Sequence, residues 1–358
     1  MRPTVNDLAR EAGVSLATVD RVLNARPGVR QNTILSVNEA IRRIGFVRDQ
    51  AAANLARSRS YRMAFVLPDT ESQFVQTLVT ALDLARPLAS MARTEVVLCR
   101  FPAENPHALS SILADLPARG IAGVAIMAPE TPVLRDAIRA LRLAGLNVVA
   151  LVSDLPNTGA EHFIGIDNRA AGHTAAVLMG RFLGANRPAQ TPQSVMVISD
   201  SMSLRESIER RAGFDQQMQT AFPRIDVLPT VEAHGRADAM RQIIRETLRH
   251  SPGVSGIYLL GTGLRALTGT LAELAHPNLA HPHPMVVIAH ELTPHARAAL
   301  QAGNLDAVIT QNTGHLVRSA LRVLRAKADS APIDQSQEQI RIEIVIRENL
   351  PALQDDAC

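Results

Sequence analysis

The chain is poor in aromatic residues and cysteine, and no long apolar run occurs in it. Only 3% of its 358 residues are aromatic, with no Trp, so its core must be built from Ala, Val, Leu and Ile. Cys99 lies in an apolar segment and Cys358 in a polar tail, which argues against a disulfide framework. No apolar run approaches the ~18 residues that a membrane-spanning helix needs. The N-terminus resembles a helix start and not a signal peptide, so we expect a cytoplasmic protein without membrane contact.

Residues 4–24 have the spacing of two short helices joined by a tight turn. Gly13 stands where the chain must reverse, and glycine adopts positive φ at little cost. Ser15 follows as the N-cap of the second helix. The apolar positions that would face inward are Leu8, Ala9, Ala12, Val14, Val19, Val22 and Leu23. The pattern predicts a helix-turn-helix, which reads DNA through its second helix.

The predicted outer face of the second helix suits the major groove. Leu16 and Ala17 offer methyl contacts, and Arg21 offers a guanidinium that can bind a base edge in bidentate fashion. The alternative is an ordinary helical hairpin with a solvated outer face. A third helix is predicted over residues 31–44, which is enough for a minimal three-helix core.

An alanine-rich segment flanked by arginines, residues 48–57, follows the third helix. It has too few large apolar side chains to stay helical alone in water, because short isolated helices are marginal. We expect it to fold on DNA, with Leu55 as its one substantial apolar wedge.

Taken together, residues 4–62 resemble the headpiece and hinge of the LacI/GalR family of bacterial transcription regulators. The resemblance rests on the stretches AREAGVS-ATV-RVLN, PGV, AI--IGF and AAA-LA. It implies that the second helix enters the major groove and that hinge leucines wedge open a minor-groove step. The DNA-binding residues that it implies are Thr4, Ser15, Leu16, Ala17, Thr18, Arg21, Asn24, Ala52 and Leu55.

The chain departs from the family pattern at two places in this region. Asp20 stands where Ser is usual, and its carboxylate would either accept from a cytosine amino group or pair with a neighbouring Arg. Arg48 and Asp49 stand where a Pro-Asn pair is common, so entry to the hinge helix is less rigid.

Positive charge is concentrated in this N-terminal part. Residues 1–62 hold eleven Arg and five acidic residues, a net charge of +6; the whole chain carries +3, so the remainder sums to −3. This is the electrostatic footprint of a DNA-binding module.

From residue 61 onward, short apolar runs alternate with longer amphipathic ones, which predicts an α/β core of parallel sheets covered on both faces. There are too many runs for one compact sheet, so we expect two doubly wound subdomains. The arrangement resembles the type I periplasmic sugar-binding fold. The predicted organisation is a headpiece (1–47), a hinge (48–60) and a core (61–350), with subdomain 1 at 61–157 and 292–317 and subdomain 2 at 162–289 and 319–350.

Ligands bind at the carboxyl ends of strands in open α/β sheets, so polar residues just after strands are the candidate effector site. Arg210 also resembles the arginine of the family element R-x-x-G-[FW]. The candidates are Asp69, Phe74, Asp154, Arg210, His290, Glu291 and Gln311. Each has the alternative role of a helix cap or an internal ion pair. Gly261, Thr262 and Gly263 stand where many relatives have an Asn-Asp pair, and backbone amides there would favour an anionic group.

Other polar motifs favour structural roles. Asp167 follows a strand and Asn168 is expected to cap the following helix. The histidines at 276, 281 and 283 lack the acid or Cys that would complete a metal set. No catalytic motif stands in a convincing context, so we expect neither enzymatic activity nor a cofactor.

The sequence therefore predicts a ligand-responsive transcription regulator, a repressor that binds a pseudopalindromic operator as a homodimer and a sugar or sugar derivative in its cleft. A purine-responsive corepressor-type regulator is the alternative. A solute-binding protein is a further one, which the headpiece argues against.

Overall fold

The computed structural model describes residues 3–23, 27–46, 60–103, 105–186, 192–274 and 285–352. The chain divides into two compact units, with the boundary between Ser60 and Tyr61. In its described residues, the first unit contains three helices: α1 (Val5–Ala12), α2 (Leu16–Leu23) and α3 (Gln31–Ile44). The hinge segment at 48–59 lies outside the described residues.

Local signals in the sequence start and end the first two helices. Thr4 and Asp7 form a capping box at the start of α1, and Gly13 ends this helix with φ at 65°. Ser15 Oγ accepts from the backbone N–H of Thr18 at 3.2 Å, which caps α2 as predicted. Leu8, Ala9, Val19, Val37, Ala40 and Phe46 form the buried centre of the bundle.

The second unit alternates strands with helices. Its strands are β1 (Tyr61–Asp69), β2 (Thr94–Pro102), β3 (Gly123–Ile126), β4 (Asn147–Leu151), β5 (Phe163–Ile164), β6 (Gln193–Ser199), β7 (Ile225–Val227), β8 (Val231–Glu232), β9 (Val254–Leu259), β10 (Val286–His290), β11 (Ala307–Thr310) and β12 (Glu343–Val345). Its helices are α4 (Gln73–Met91), α5 (Pro106–Asp115), α6 (Pro132–Leu143), α7 (Asn168–Asn186), α8 (Arg205–Ala221), α9 (Ala237–His250), α10 (Leu264–Leu274), α11 (Pro294–Ala302), α12 (Thr313–Ala328) and α13 (Gln335–Glu338). A 3-10 turn (Arg347–Asn349) follows.

The strands form a five-stranded and a seven-stranded sheet. The first has the order β2-β1-β3-β4-β5, and the second has the order β12-β11-β10-β9-β6-β7, with β8 also paired to β6. Neighbouring strands are parallel except at β12, which runs antiparallel to β11 at the sheet edge. Their carboxyl ends carry the loops in which the candidate site residues were predicted.

The predicted division into subdomains is wrong at three segments. β5 pairs with β4, so residues 163–164 extend the first sheet and not the second. β11 pairs with β10, so residues 307–310 belong to the second sheet, and α11 packs with them. α12 packs against β1, β3 and β4 of the first sheet, although most of it was assigned to subdomain 2. The chain thus crosses between the sheets after β5, after β11 and after α12, whereas the predicted division requires a crossing between residues 289 and 292.

The last crossing is anchored by a buried carboxylate. Glu338 of α13 accepts two hydrogen bonds from the guanidinium of Arg322, both at 2.8 Å, and one from the hydroxyl of Ser319. These bonds tie the returning segment to α12.

The buried cores of the two sheets are continuous along one face. A single cluster runs from Phe65 and Leu82 under the first sheet to Phe214 and Ile288 under the second. Two further clusters cover the outer faces of the first and the second sheet. Within the described part of the chain, no helix has both the length and the apolar character to cross a membrane.

Candidate functional site

The first candidate site is the outer face of α2. Leu16 is 50% exposed although it is a large apolar side chain, and Ala17 and Arg21 are exposed beside it. An exposed Leu next to an Arg on a capped helix offers both an apolar and a hydrogen-bonding contact for base edges. This geometry agrees with the predicted reading face, whose contacts with DNA remain a prediction.

Three further residues that the resemblance implies for DNA binding lie at the helix starts. Thr4 is exposed and donates its hydroxyl to Asp7 at 2.7 Å, while Ser15 and Thr18 share a hydrogen bond of 2.9 Å between their hydroxyls. Helix N-termini attract phosphate because their backbone N–H groups point outward. Asn24, Ala52 and Leu55 lie outside the described residues.

In the second unit, three of the predicted effector residues come together. Glu291 Oε1 accepts from Gln311 Nε2 at 3.1 Å and faces Arg210 Nη2 at 3.5 Å. Glu291 follows β10 and Gln311 follows β11, so adjacent parallel strands bring them side by side. Arg210 comes from α8, which packs along α7 beneath the same sheet edge.

Arg210 is buried and held from three sides. Its Nε donates to Asn168 Oδ1 at 2.8 Å, and its Nη1 donates to the carbonyl of Leu260 at 2.7 Å. Asn168 opens α7 and is itself buried, so it positions the arginine. The expected N-cap role falls to its neighbour, because Asp167 Oδ1 accepts from the backbone N–H of Ala170 at 2.9 Å.

His290 directly precedes Glu291 in the chain and is also buried. Its Nε2 is 2.8 Å from the hydroxyl of Tyr258, whose ring stacks on Phe214 with centroids 4.6 Å apart. Burial lowers the pKa of His290 well below its usual value, and the positive charge of Arg210 lowers it further. His290 is therefore neutral, and its tautomer decides whether Nε2 accepts from the Tyr258 hydroxyl or donates to it.

The three remaining predicted effector residues are not part of the cluster of Arg210, Glu291 and Gln311. Asp69 is mostly exposed and pairs with Arg100 at 3.2 Å. Phe74 is half-buried and packs against the core. Asp154 Oδ1 accepts from the backbone N–H of Leu155 at 2.8 Å, a local bond in the loop after β4. None of the three contacts Arg210 through a hydrogen bond.

Glu206 and Ser153 were missed by the sequence argument. Ser153, just after β4 of the first sheet, donates its hydroxyl to Glu206 Oε2 at 2.6 Å. Glu206 is on α8, one turn before Arg210, so the i, i+4 spacing to the arginine was the available signal. This bond joins the two subdomains next to the candidate site.

The cluster contains buried polar atoms without a hydrogen-bond partner among the described residues. They are Glu291 Oε2, Gln311 Oε1 and His290 Nδ1. Burial of an unsatisfied acceptor costs about 1–3 kcal/mol, so such atoms mark a place where a ligand can satisfy them. In the described ranges, no group of three or more His, Cys, Asp and Glu could hold a metal ion.

The sequence matches two family descriptions that correspond to the two units. Residues 4–49 match "Bacterial regulatory proteins, lacI family", and residues 63–332 match "Periplasmic binding protein domain". Among curated relatives, an HTH-type transcriptional regulator GntR of Pseudomonas aeruginosa is 25% identical over 82% of this chain and 80% of its own. Catabolite control protein A of Priestia megaterium is 27% identical over 49% of this chain and 51% of its own.

Solved structures share the fold of the second unit. An ABC transporter solute-binding protein of Burkholderia graminis, solved with D-arabinose, has a TM-score of 0.70 at 21% identity and covers 81% of this chain and 96% of its own. A LacI transcriptional regulator of Bacteroides fragilis, described as putative, has a TM-score of 0.68 at 14% identity, with 81% and 98% covered.

Proposed function

Since the chain belongs to the periplasmic binding protein domain family over residues 63–332 and matches the lacI family of bacterial regulatory proteins over residues 4–49, we propose that it is a repressor whose operator affinity is set by a small sugar-like effector. The observation that carries this proposal is the buried group of Arg210, Glu291 and Gln311, which has unpartnered acceptors. A chain that also carries a helix-turn-helix can convert occupancy of that group into a change in DNA affinity.

The effector would act by stabilising one arrangement of the two subdomains. Glu291 and Gln311 belong to the second sheet, while Ser153 of the first sheet reaches Glu206 beside them. A ligand that contacts both sides has a differential affinity for the arrangement that brings them together, and this shifts the population. The Burkholderia graminis solute-binding protein that shares this fold was solved with D-arabinose, which supports a carbohydrate.

A purine-type corepressor is less well supported by the aromatic residues of the site. Tyr258 and Phe214 are fully buried and stack on each other, and the Tyr258 hydroxyl is bound to His290. These rings are engaged within the core, whereas a purine is favoured by ring faces open to it. Hydroxyl groups suit the unpartnered oxygens better.

A homodimer would present two headpieces to the two halves of a pseudopalindromic operator. On α4, Leu84, Leu88 and Met91 are 70%, 67% and 83% exposed. They lie four and three residues apart, so they share one face of the helix. An exposed apolar stripe of this kind supports contact with a second copy of the chain.

The proposed function is tested by selecting DNA from a random pool with the purified full-length protein. A regulator of this kind should enrich a two-fold symmetric sequence and bind it at least 1,000-fold more tightly than scrambled DNA at one fixed salt concentration, an order of magnitude typical of specific recognition. Enrichment of no symmetric sequence would contradict the proposal. Cytoplasmic location is part of the proposal and is checked by fractionation of cells.

A further inference from the structure

The charge of the effector can be inferred from how the polar groups of the site are already used. An arginine in a cleft usually indicates an anionic ligand, because its guanidinium binds carboxylate or phosphate with two hydrogen bonds. In this chain Arg210 donates to Asn168 Oδ1 and to the carbonyl of Leu260, and its third nitrogen faces Glu291. Its fork is therefore shared among groups of the protein, and its charge is opposed by that of Glu291.

One amide oxygen and one carboxylate oxygen of the site have no hydrogen-bond partner among the described residues, and both are acceptors. Gln311 is 3% exposed, and its Nε2 donates to Glu291 Oε1. This bond fixes the orientation of the amide, since the flipped amide would place two acceptors against each other. Gln311 Oε1 and Glu291 Oε2 then have no donor among the described residues. They require a ligand that donates hydrogen bonds, and phosphate and carboxylate oxygens cannot donate when ionised.

One further carboxylate lies near the pair. Burial raises the pKa of Glu291, Arg210 opposes this rise, and Glu206 adds to it through charge repulsion, which places Glu206 near Glu291. An anion that enters beside Glu291 would be repelled by Glu206 as well as by Glu291 itself.

A buried imidazole nitrogen accompanies the two acceptors. Nδ1 of neutral His290 also has no partner among the described residues, and the tautomer decides whether it donates or accepts. A hydroxyl group both donates and accepts, so it can satisfy Nδ1 in either tautomer as well as the two acceptors, whereas an ammonium group cannot accept from a protonated Nδ1.

We propose that the cleft takes an uncharged polyhydroxylated ligand, a neutral sugar or polyol, and rejects the phosphorylated and carboxylated forms of the same compound. The inference rests on the proposed function, because it assumes that this cleft is the effector site. It also reverses the expectation that Gly261, Thr262 and Gly263 favour an anionic group: Thr262 is exposed, while the buried group offers acceptors.

The test uses the full-length protein and a panel of aldopentoses, aldohexoses, their ketoses and their alditols. Each compound is measured beside its phosphate ester and its aldonic acid where these exist. Thermal unfolding identifies binders, because a specific ligand raises Tm, and calorimetry then gives the Kd values. We expect at least one uncharged member to bind, and its anionic counterparts to bind at least ~10-fold more weakly, as expected for a like charge in a partly buried site.

Two variants test whether the named carboxylates cause this selectivity. Glu291→Gln and Glu206→Gln keep the size of the side chain and remove a negative charge, so each should reduce the ratio of neutral to anionic affinity severalfold. Glu206 is half-buried, so its variant should fold even if the Glu291 variant does not. Glu343→Gln, on the exposed part of β12, is the matched control and should leave the ratio unchanged.

Three outcomes would overturn the inference: an anionic compound that binds as tightly as its neutral parent, a panel without an uncharged binder, or a selectivity ratio unchanged in both variants. If an anionic compound binds and changes operator affinity, the proposed function stands and only the charge class is wrong. If the protein enriches no symmetric DNA, the proposed function fails whatever the ligand result.

Discussion

Gly172 of α7 and Gly213 of α8 lie where the backbones of these two helices meet. A Cβ at position 172 would stand 2.0 Å from the carbonyl oxygen of Arg210, and a Cβ at position 213 would stand 2.1 Å from that of Arg169. Both distances are far below van der Waals contact, so no other residue fits at either position unless the helices move apart. This close approach places Arg210 within reach of Asn168 and Leu260.

Gly172→Ala should therefore destabilise the core unit by about 3 kcal/mol, because the added methyl group forces two backbones apart. Gly184→Ala in the same helix is the control. Nothing lies within 4 Å of its Cβ position, and Ala is favoured over Gly in a helix by up to about 1 kcal/mol. Urea denaturation of both variants measures the difference, and equal stabilities would contradict the close contact.

Arg210→Ala should abolish the effector-induced change in operator affinity and leave effector-free DNA binding close to that of the native chain. The variant removes three contacts in the core unit but none in the headpiece unit. Arg210→Lys keeps the charge and loses the planar fork, so it should also fail. Arg241→Ala, which removes a half-exposed arginine paired with Asp238, should behave like the native protein. Calorimetry with an effector from the panel, beside an operator-release assay, gives the answer; native effector affinity in Arg210→Ala would rule out the site.

Arg21→Ala should reduce the preference for operator over scrambled DNA by roughly 1–3 kcal/mol, which is the value of one bidentate base contact. Arg42→Ala on α3 removes an exposed arginine of the same unit and serves as the control for charge alone. Gel-shift titrations against both DNAs are sufficient. A specificity ratio that stays at the native value in Arg21→Ala would show that this side chain does not read a base.

The stability of the core unit should fall below neutral pH, in part because of His290. Its pKa is lowered in the folded protein, so the unfolded chain binds the proton first and stability is lost as the pH falls below the ordinary value near 6.5. At pH 5.5 the loss from this one residue is at most about 1.4 kcal/mol, the value reached if the folded protein keeps His290 neutral. His162 and His295 have pKa shifts of the same sign and add to the slope. His290→Gln should therefore show a smaller loss between pH 7.5 and 5.5 in denaturation experiments, and an unchanged pH slope would contradict this account.

Leu88→Glu should convert a dimer to a monomer, since it places a charge in the centre of the exposed stripe on α4. Leu143→Glu is the control, because Leu143 is 90% exposed and its helix α6 packs on the other face of the first sheet. Sedimentation of the three proteins at equal concentration distinguishes the outcomes. A dimer that survives Leu88→Glu would place the interface elsewhere.

The sequence was sufficient for the headpiece and for most strands, because their apolar periodicity is strong. It did not show β7, β8 or β12, since these are short and largely half-exposed or exposed, so they lack a continuous apolar run. It also misplaced β11, because a buried strand reads the same in either sheet and only its pairing decides between them.

Only part of the candidate site could be predicted, because some of its residues are identified by local sequence and others by packing. Glu291 and Gln311 were found because they directly follow buried strands, and the position of a strand end is local information. Glu206 was not found, because the direction of its side chain depends on how α8 packs against α7. The close contact at Gly172 and Gly213 determines that packing, and these residues are distant from each other in the sequence. Asp69 is the last residue of the mostly buried strand β1, but its carboxylate pairs with Arg100.

The crossing of α12 back to the first sheet has a consequence for synthesis on the ribosome. β1 and β4 need this helix as part of their cover, and the hydroxyl of Tyr61 bonds to Asp329, 268 positions later. The first sheet therefore cannot bury that face until nearly the whole chain has emerged, whereas the headpiece closes on contacts within residues 8–46. Such late contacts slow folding and expose apolar surface in the meantime. A chain that stops before α12 should therefore aggregate. It would not persist as a DNA-binding protein that has lost its response to the effector.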